Sequence, residues 1–309
     1  GLSIIFLLLV LTFTMSFAKV QTFVAHKAIS WVNEKYDTGI ELARFQYVFP
    51  DQFVLSEVFI QDERNDTLAY ATEIKLFFGG FNALTNTAHS RGVEAENLQF
   101  FWTKAVGDEE FGFQKFVNKF SSGDTTSSAS FGLEVAKVDI HNGRFWYEDK
   151  NCDDCFRMLL QNMEIDASNY DMEGANFSVE ANNISLKDKY SLDVKSMSTY
   201  YEMYDDHMTI DKLEFETAGS TFDGDVLFEY TSMEDFQDFV NKVKITASIR
   251  ESDLQSKEIQ IFSGEQFPDF RRFSLTGSAQ GTVNLLAAED LDFEKAAKLR
   301  DKIAKLKAL

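Results

Sequence analysis

The chain has 309 residues, 44% of them hydrophobic, and carries 30 Lys+Arg against 50 Asp+Glu for a formal net charge of −20. Residues 1–18 are uncharged and the last 25 residues hold six basic and five acidic side chains, so the acid lies in the middle. A body this acidic repels phosphate backbones, which excludes broad nucleic-acid binding and wide contact with anionic headgroups, and leaves apolar surface as the route to any lipid.

Leu2–Ala18 is an apolar run with no Met before it. A run of about 18 apolar residues is a candidate membrane span, so residues 1–18 are expected to be an anchor that begins mid-segment, its cytoplasmic start missing. Ser16-Phe17-Ala18 also has the small-residue spacing of a signal-peptidase site. The length of the run favours an anchor over a cleaved signal. So does the apolar character that resumes at helical spacing in Val20, Phe23, Val24, Ala28, Ile29, Trp31 and Val32. Residues 19–36 are therefore predicted to form an amphipathic helix, with Trp31 and Tyr36 as interface anchors.

From Ile40 the pattern changes to period two. Phe45, Tyr47 and Phe49 recur at every second position; Phe53, Leu55, Val58 and Ile60 follow, then the turn Asp62–Asp66, then Leu68, Tyr70, Ile74, Leu76 and Phe78 before Gly79-Gly80. Alternation bounded by turn chemistry marks half-buried strands. Further strands are read at Leu98/Phe100/Trp102, Leu133–Ile140, Phe145/Tyr147, Leu159–Ile165, Phe177/Val179 and Ile184/Leu186. Others follow at Leu192–Met197, Met208/Ile210, Leu213/Phe215, Val226/Phe228/Tyr230, Val243–Ile249 and Ile259/Ile261. Asn142-Gly143 predicts a two-residue hairpin.

Two inserts break the rhythm. Asp108–Phe120 places Phe113, Phe116, Val117 and Phe120 at helical spacing before the low-complexity loop Ser121–Ser128, and Ser232–Val240 reads as a short amphipathic helix. Both can cap an apolar surface or simply pack in a core. β-α alternation is absent, which disfavours a doubly wound parallel sheet. The strand spacing suits a sandwich, a barrel or an elongated solenoid-like sheet. Thirty-one Phe must serve as core, groove or partner surface.

Chemistry is sparse. Cys152 and Cys155 flank two aspartates between strand-like segments, a setting that raises thiol pKa; a local loop disulfide is the simplest reading in an oxidising compartment. The histidines at 26, 89, 141 and 207 are too scattered to complete a metal site with the cysteines. Asp205-Asp206-His207 and Glu109-Glu110 read as solvated turn residues before they read as acid/base groups. No nucleophile-elbow, zinc-protease or phosphate-loop pattern is present, so no catalytic residue, metal or cofactor is expected. The sequons at Asn65, Asn176 and Asn183 are short enough to arise by chance.

Val20–Phe45, Leu55–Leu76 and Val138–Asp149 (V-D-I-H-N-G-R-F-W-Y-E-D) resemble, in that order after an apolar run, the N-terminal part of the TamB family of translocation and assembly module, AsmA-like proteins, in its Bacteroidetes-like form. The resemblance covers roughly residues 1–284. It implies a single-pass inner-membrane protein whose β-rich body, residues 37–284, crosses the periplasm as a curled, groove- or taco-like, antiparallel-type sheet. It further implies movement of phospholipid toward the outer membrane and support of β-barrel assembly with an Omp85-type partner such as TamA. The competing role is a scaffold whose sheet edges accept client strands.

A groove that holds acyl chains needs large apolar side chains on its inner face. The candidates are Phe53, Leu55, Ile74, Leu76, Phe78, Leu98, Phe100, Leu133, Val135, Phe145 and Tyr147, then Phe177, Val179, Leu213, Phe215, Val226, Phe228, Ile259 and Ile261. A dry sandwich core would use the same residues, and alternation does not separate the two. Residues 285–309 abandon alternation: Phe293, Ala296, Leu299, Ile303 and Leu306 form a coiled-coil-like seam that resembles the UVR motif of UvrB. A helix is expected there, foreign to the rest of the chain.

Overall fold

The computed structural model describes residues 17–121, 132–151, 157–174, 176–188, 192–263, 271–282 and 287–289. Among them the fold is mainly β with short helices between strands. No helix among the described residues is long and apolar enough to cross a membrane. The expected anchor lies outside them apart from Phe17 and Ala18, as do Cys152, Cys155 and the Ser122–Ser128 loop. By internal contact density the chain divides into two units, Gly1–Glu164 and Ile165–Leu309.

The first unit opens with helix α1 (Ala18–Tyr36), which stops where Asp37 turns left-handed (φ 52°) and returns its N–H to the Asn33 carbonyl. Strands β1 (Gly39–Val48), β2 (Gln52–Gln61), β3 (Thr67–Asn82) and β4 (Thr87–Glu96) then form an antiparallel meander. β1 is its edge, and an unpaired edge is a template for aggregation. Here α1 closes it with side chains. Gln21 Oε1 accepts from the Tyr47 N–H (2.8 Å), and the Thr22 hydroxyl serves both the N–H (3.1 Å) and C=O (2.9 Å) of Phe45. His26 Nε2 donates to the Leu42 carbonyl (2.6 Å), and the Asn33 amide meets both the Ile40 C=O (2.8 Å) and N–H (3.0 Å).

The antiparallel expectation fails at the next step. β6 (Gly132–Asp149) runs parallel to β4 along Thr87↔Gly132 to Glu96↔His141. It also runs parallel to β5 (Gln99–Lys104) along Gln99↔Arg144 to Lys104↔Asp149. β4 and β5 thus lie end to end beside one long strand. Parallel neighbours need a crossover of a dozen residues or more, and the insert with helix α2 (Gly112–Ser121) lies in that connection.

The Asn142-Gly143 hairpin is not formed either, because β6 passes straight through it. The signal is real but marks a left-handed kink inside the strand. Asn142 is left-handed (φ 52°), as are its neighbours Asn97 (φ 53°) between β4 and β5, Glu57 (φ 52°) in β2, and Asn162 (φ 50°) in β7 (Arg157–Glu173). The Asn142 amide bonds the Asn97 side-chain oxygen, and Asn97 Nδ2 donates to Thr72 Oγ1 at 3.1 Å. A crease of irregular positions therefore runs across adjacent strands. The registers run unshifted through the crease, as in Leu42↔Val58 and Arg44↔Ser56, while the apolar side changes parity in all strands together, so Leu42 and Phe45, three apart, both face α1. Gly143 follows Asn142 because a β-carbon there would sit 3.2 Å from both Ile140 Cγ2 and Met163 Cβ.

Glu164 pins the crease, accepting from the Asn142 N–H (2.8 Å) and from His141 Nδ1 (2.8 Å). The hydrogen bond to Glu164 holds His141 above the usual imidazole range. Partial burial pushes the Glu164 carboxyl up, and the Asn142 N–H and His141 outweigh it, leaving the carboxyl below its ordinary value. The raised His141 stabilises fully below its unfolded pKa and loses that contribution as pH rises through its folded one. The depressed Glu164 stabilises above its unfolded pKa and loses that as pH falls. The pair therefore contributes fully between about pH 4.3 and 6.5, the unfolded values of the two groups. In thermal melts, Glu164→Gln is expected to lower Tm most within that window; a uniform drop from pH 3 to 9 would contradict it.

The second unit takes the rest of β7, then β8 (Asn176–Asp188), β9 (Asp193–Met203), β10 (His207–Thr217) and β11 (Thr221–Glu229). A 3-10 turn (Met233–Asp238) and α3 (Phe239–Lys242) realise the predicted Ser232–Val240 helix, followed by β12 (Lys244–Gln255), α4 (Ser256–Ser263), β13 (Arg272–Thr282) and β14 (Ala287–Glu289). β8 to β14 form a sequential antiparallel meander. Two expectations are corrected. Ile259/Ile261 lies on helix α4, where Ser256 is fully buried and Glu258 occupies the first turn; eight residues are too few for period two to outvote helix-start chemistry. Residues 287–289 are strand, pairing with Ser278–Gln280, although a helix was expected from 285.

Candidate apolar groove

Directly paired residues of a sheet share a face, so the registers place the candidates in rows. In the first unit Tyr47–Phe53–Leu76–Val93–Val138 form one row and Phe45–Leu55–Ile74–Ala95–Ile140 the next. Phe78 pairs with Ser90 and Ser90 with Val135; Phe81 pairs with Ala88 and Ala88 with Leu133. Beyond the crease the row is Ile40–Ile60–Ala69–Phe100–Phe145, with Trp102 beside Tyr147. Leu98 belongs to no row. It sits in the gap between β4 and β5, where its carbonyl accepts from the Arg144 N–H (2.7 Å).

Two helices stand over this face and treat it differently. At the β5 end α2 closes it with rings: Phe113 lies 4.6 Å from Phe100 and 5.8 Å from Trp102, and Phe111 lies 5.5 Å from Tyr147. Phe116 and Phe120 continue the stack to Tyr36 at the end of α1 (5.0 Å). The loop before α2 is tied by Asp108 to Arg64 and Lys115, and the Arg64 guanidinium, then Lys115, hold the Asp108 carboxyl down at about 2. The Asp108–Phe120 stripe is thus a lid as well as packing.

At the other end α1 leaves a cavity of about 750 Å³ open against the sheet. Val24, Ala28 and Ile29 line it from the helix, and Leu42, Phe45, Tyr47, Phe53, Leu55 and Phe78 from the strands. Gln21 and Asp51 are its polar members, and both are engaged, Gln21 with Tyr47 and Asp51 with Arg91. α1's contribution was missed as a lining, although Val24, Ala28 and Ile29 carried the helical spacing that announces it.

In the second unit the rows are Phe177–Met203–Met208–Phe228–Ile245 and Val179–Tyr201–Ile210–Val226–Ala247. A bulge after Ile210, with Lys212 left-handed (φ 51°) and its N–H on Asp225 (2.7 Å), moves the apolar parity to Leu213 and Phe215. Phe215 stacks on Phe222 (5.2 Å) and lines a cavity of about 350 Å³ with Leu192, Val194, Met197 and Leu254. Its polar end is Glu258, which accepts from Thr217 Oγ1 (2.7 Å) and the Ser220 hydroxyl. Phe239 of α3 covers Phe228 (6.0 Å). The side chains of Ile259 and Ile261 lie outside the described residues.

Burial separates a groove from a dry core. Of the candidate positions whose side chains are described, only Val135 is buried, and Phe273 is the one phenylalanine among the described residues that is. The buried core is instead built from small and aliphatic residues such as Leu68 (1% exposed), Ala71, Ala95 and Val243. No group of three or more His, Cys, Asp or Glu among the described residues is placed to hold a metal.

The comparisons reach only the tail. Residues 286–309 match the UVR, or UvrB/uvrC, motif. No curated protein matches the chain. The motif lies almost wholly beyond the described residues and includes none of the groove positions.

Proposed function

We propose that this chain shields phospholipid acyl chains along its incompletely buried aromatic face, as the segment of a TamB-like bridge nearest the inner membrane. The observation that carries the reading is the roughly 750 Å³ cavity between α1 and β1–β3, apolar on every side but two paired polar groups and open rather than packed. Acyl chains bind by burial alone, at about 0.8 kcal/mol per CH2, so no catalytic constellation is required and the protein is read as non-enzymatic. The closed β1 edge speaks against client-strand addition at that edge, which leaves lipid the favoured cargo. An inner-membrane anchor in Leu2–Ala18, a periplasmic body and an Omp85-type outer-membrane partner belong to the same proposal.

The test is a photo-crosslinker in place of Leu55, followed by mass spectrometry of the purified chain. Phospholipid adducts are expected there, and Phe53→Glu is expected to reduce them by about tenfold or more, since an unpaired carboxylate in this lining costs well over 1.4 kcal/mol. A lipid-free protein with unchanged behaviour in Phe53→Glu would sink the proposal.

A further inference from the structure

The β3–β4 turn of the first unit is unusually free of charge. Leu76–Ala88 contains no Asp, Glu, Lys or Arg, in a protein with 26% charged residues. Leu84 at its tip is 96% exposed and Phe81 54%. β3 continues through Phe78–Asn82 past the β1–β2 turn, where Phe49 is 85% exposed. The same end of the unit receives the start of α1: α1 runs antiparallel to β1, with Gln21 at Tyr47 and Asn33 at Ile40, so Phe17, itself exposed, lies near the β1–β2 turn. The uncharged apolar sequence Leu2–Ala18 therefore joins the folded unit at this end.

Exposed apolar side chains gathered on one projecting tip mark an interaction surface. Two features fit the tip to a phospholipid bilayer rather than to a protein. It lacks the acidic side chains that elsewhere would be repelled by anionic headgroups, and Asp51 beside it is neutralised by Arg91. It also stands where an apolar segment of near membrane-spanning length enters. We propose that the β3–β4 turn seats in the bilayer interface, Phe81 and Leu84 entering the headgroup–acyl boundary and Phe49 resting at its surface. That seating would hold the Phe78–Tyr47 end of the cavity against the lipid. It stands whether or not the cavity carries lipid.

The experiment uses the full chain reconstituted in phosphatidylethanolamine–phosphatidylglycerol vesicles, with benzoylphenylalanine in place of Leu84, Leu55 or Val106 in separate preparations. Val106 is also an exposed apolar residue (75%), but it follows β5 at the opposite end of the same unit. Lipid adducts at position 84 are expected to exceed those at 106 by at least about tenfold, which corresponds to about 1.4 kcal/mol of preferential membrane contact. Equal yields at 84 and 106, no adduct at 84, or an adduct at 84 to a second copy of the chain would each overturn the proposal. Adducts at 84 without any at 55 would sink the groove reading alone, and the reverse pattern would sink the bilayer seat alone.

Discussion

Deleting the single residue Asn142 is expected to unfold the first unit. β6 alternates on two different parities, with Val138 and Ile140 on the apolar face before the crease and Phe145 and Tyr147 after it. The left-handed Asn142 makes this possible, and the pairing with β4 and β5 keeps one offset across it, Glu96↔His141 and Gln99↔Arg144. Without it, residues 143–149 turn over: Phe145 leaves Phe100, Tyr147 leaves Phe111, and Arg144, Trp146 and Glu148 are driven under α2. Two large side chains lost from contact cost about 3–6 kcal/mol at about 1.5–3 each. Forcing Arg144 and Glu148 into their place adds more. A domain is stabilised by only about 5–15 kcal/mol. Circular-dichroism melts and limited proteolysis should show a lost transition and early cleavage between 97 and 149. Asn142→Gly, which keeps the residue count and tolerates φ > 0, should stay within about 1 kcal/mol of the parent. A deletion variant that melts like the parent would refute the Asn142 kink as the source of the shared face.

Opening the β1 edge should have the next largest effect, and in a different currency. Gln21→Leu combined with Asn33→Leu removes acceptors and a donor that answer Tyr47 and Ile40, while keeping α1 helical and its length unchanged. Each unmet backbone group costs about 1–3 kcal/mol when shielded from water. The larger consequence is an edge strand free to pair with another molecule. The double variant is expected to elute as higher oligomers in light-scattering chromatography at concentrations where the parent is unchanged. Glu34→Ala, on the exposed side of the same helix, is the control and should not associate. Monomeric behaviour of the double variant would mean that the helix side chains are incidental to the edge.

Much of this fold is legible in the residues, because half-buried strands write their own period. The helical spacing of Val20–Val32 and the aromatic stripe of Phe113, Phe116 and Phe120 fall on helices. What is not legible follows from physics that alternation does not encode. A parallel and an antiparallel neighbour ask the same side chains of a strand, so the β4–β6 pairing leaves no mark in either sequence. Asn142-Gly143 declares a left-handed residue, but a kink within a strand and a hairpin turn both use that backbone conformation. Ile259 and Ile261 satisfy period two over a span too short to exclude a helix. The apolar face itself was readable, whereas its openness was not; that depends on what packs over Phe53 and Leu55, and only the placement of α1 decides it.

The α2 lid gives the open stretch of the first unit a measurable depth. From Phe78 at the mouth to Thr72 at the crease is six residues of β3, about 20 Å at about 3.3 Å per residue. Past that point the rings of Phe113 and Phe116 lie over the sheet. One leaflet of a bilayer core is about 15 Å deep, half of the ~30 Å whole. An acyl chain entering from the Leu84 end would therefore run its full length before it meets a wall. Under the proposed function the stretch would measure one lipid tail, and residues inserted between Thr72 and Phe78 would lengthen it.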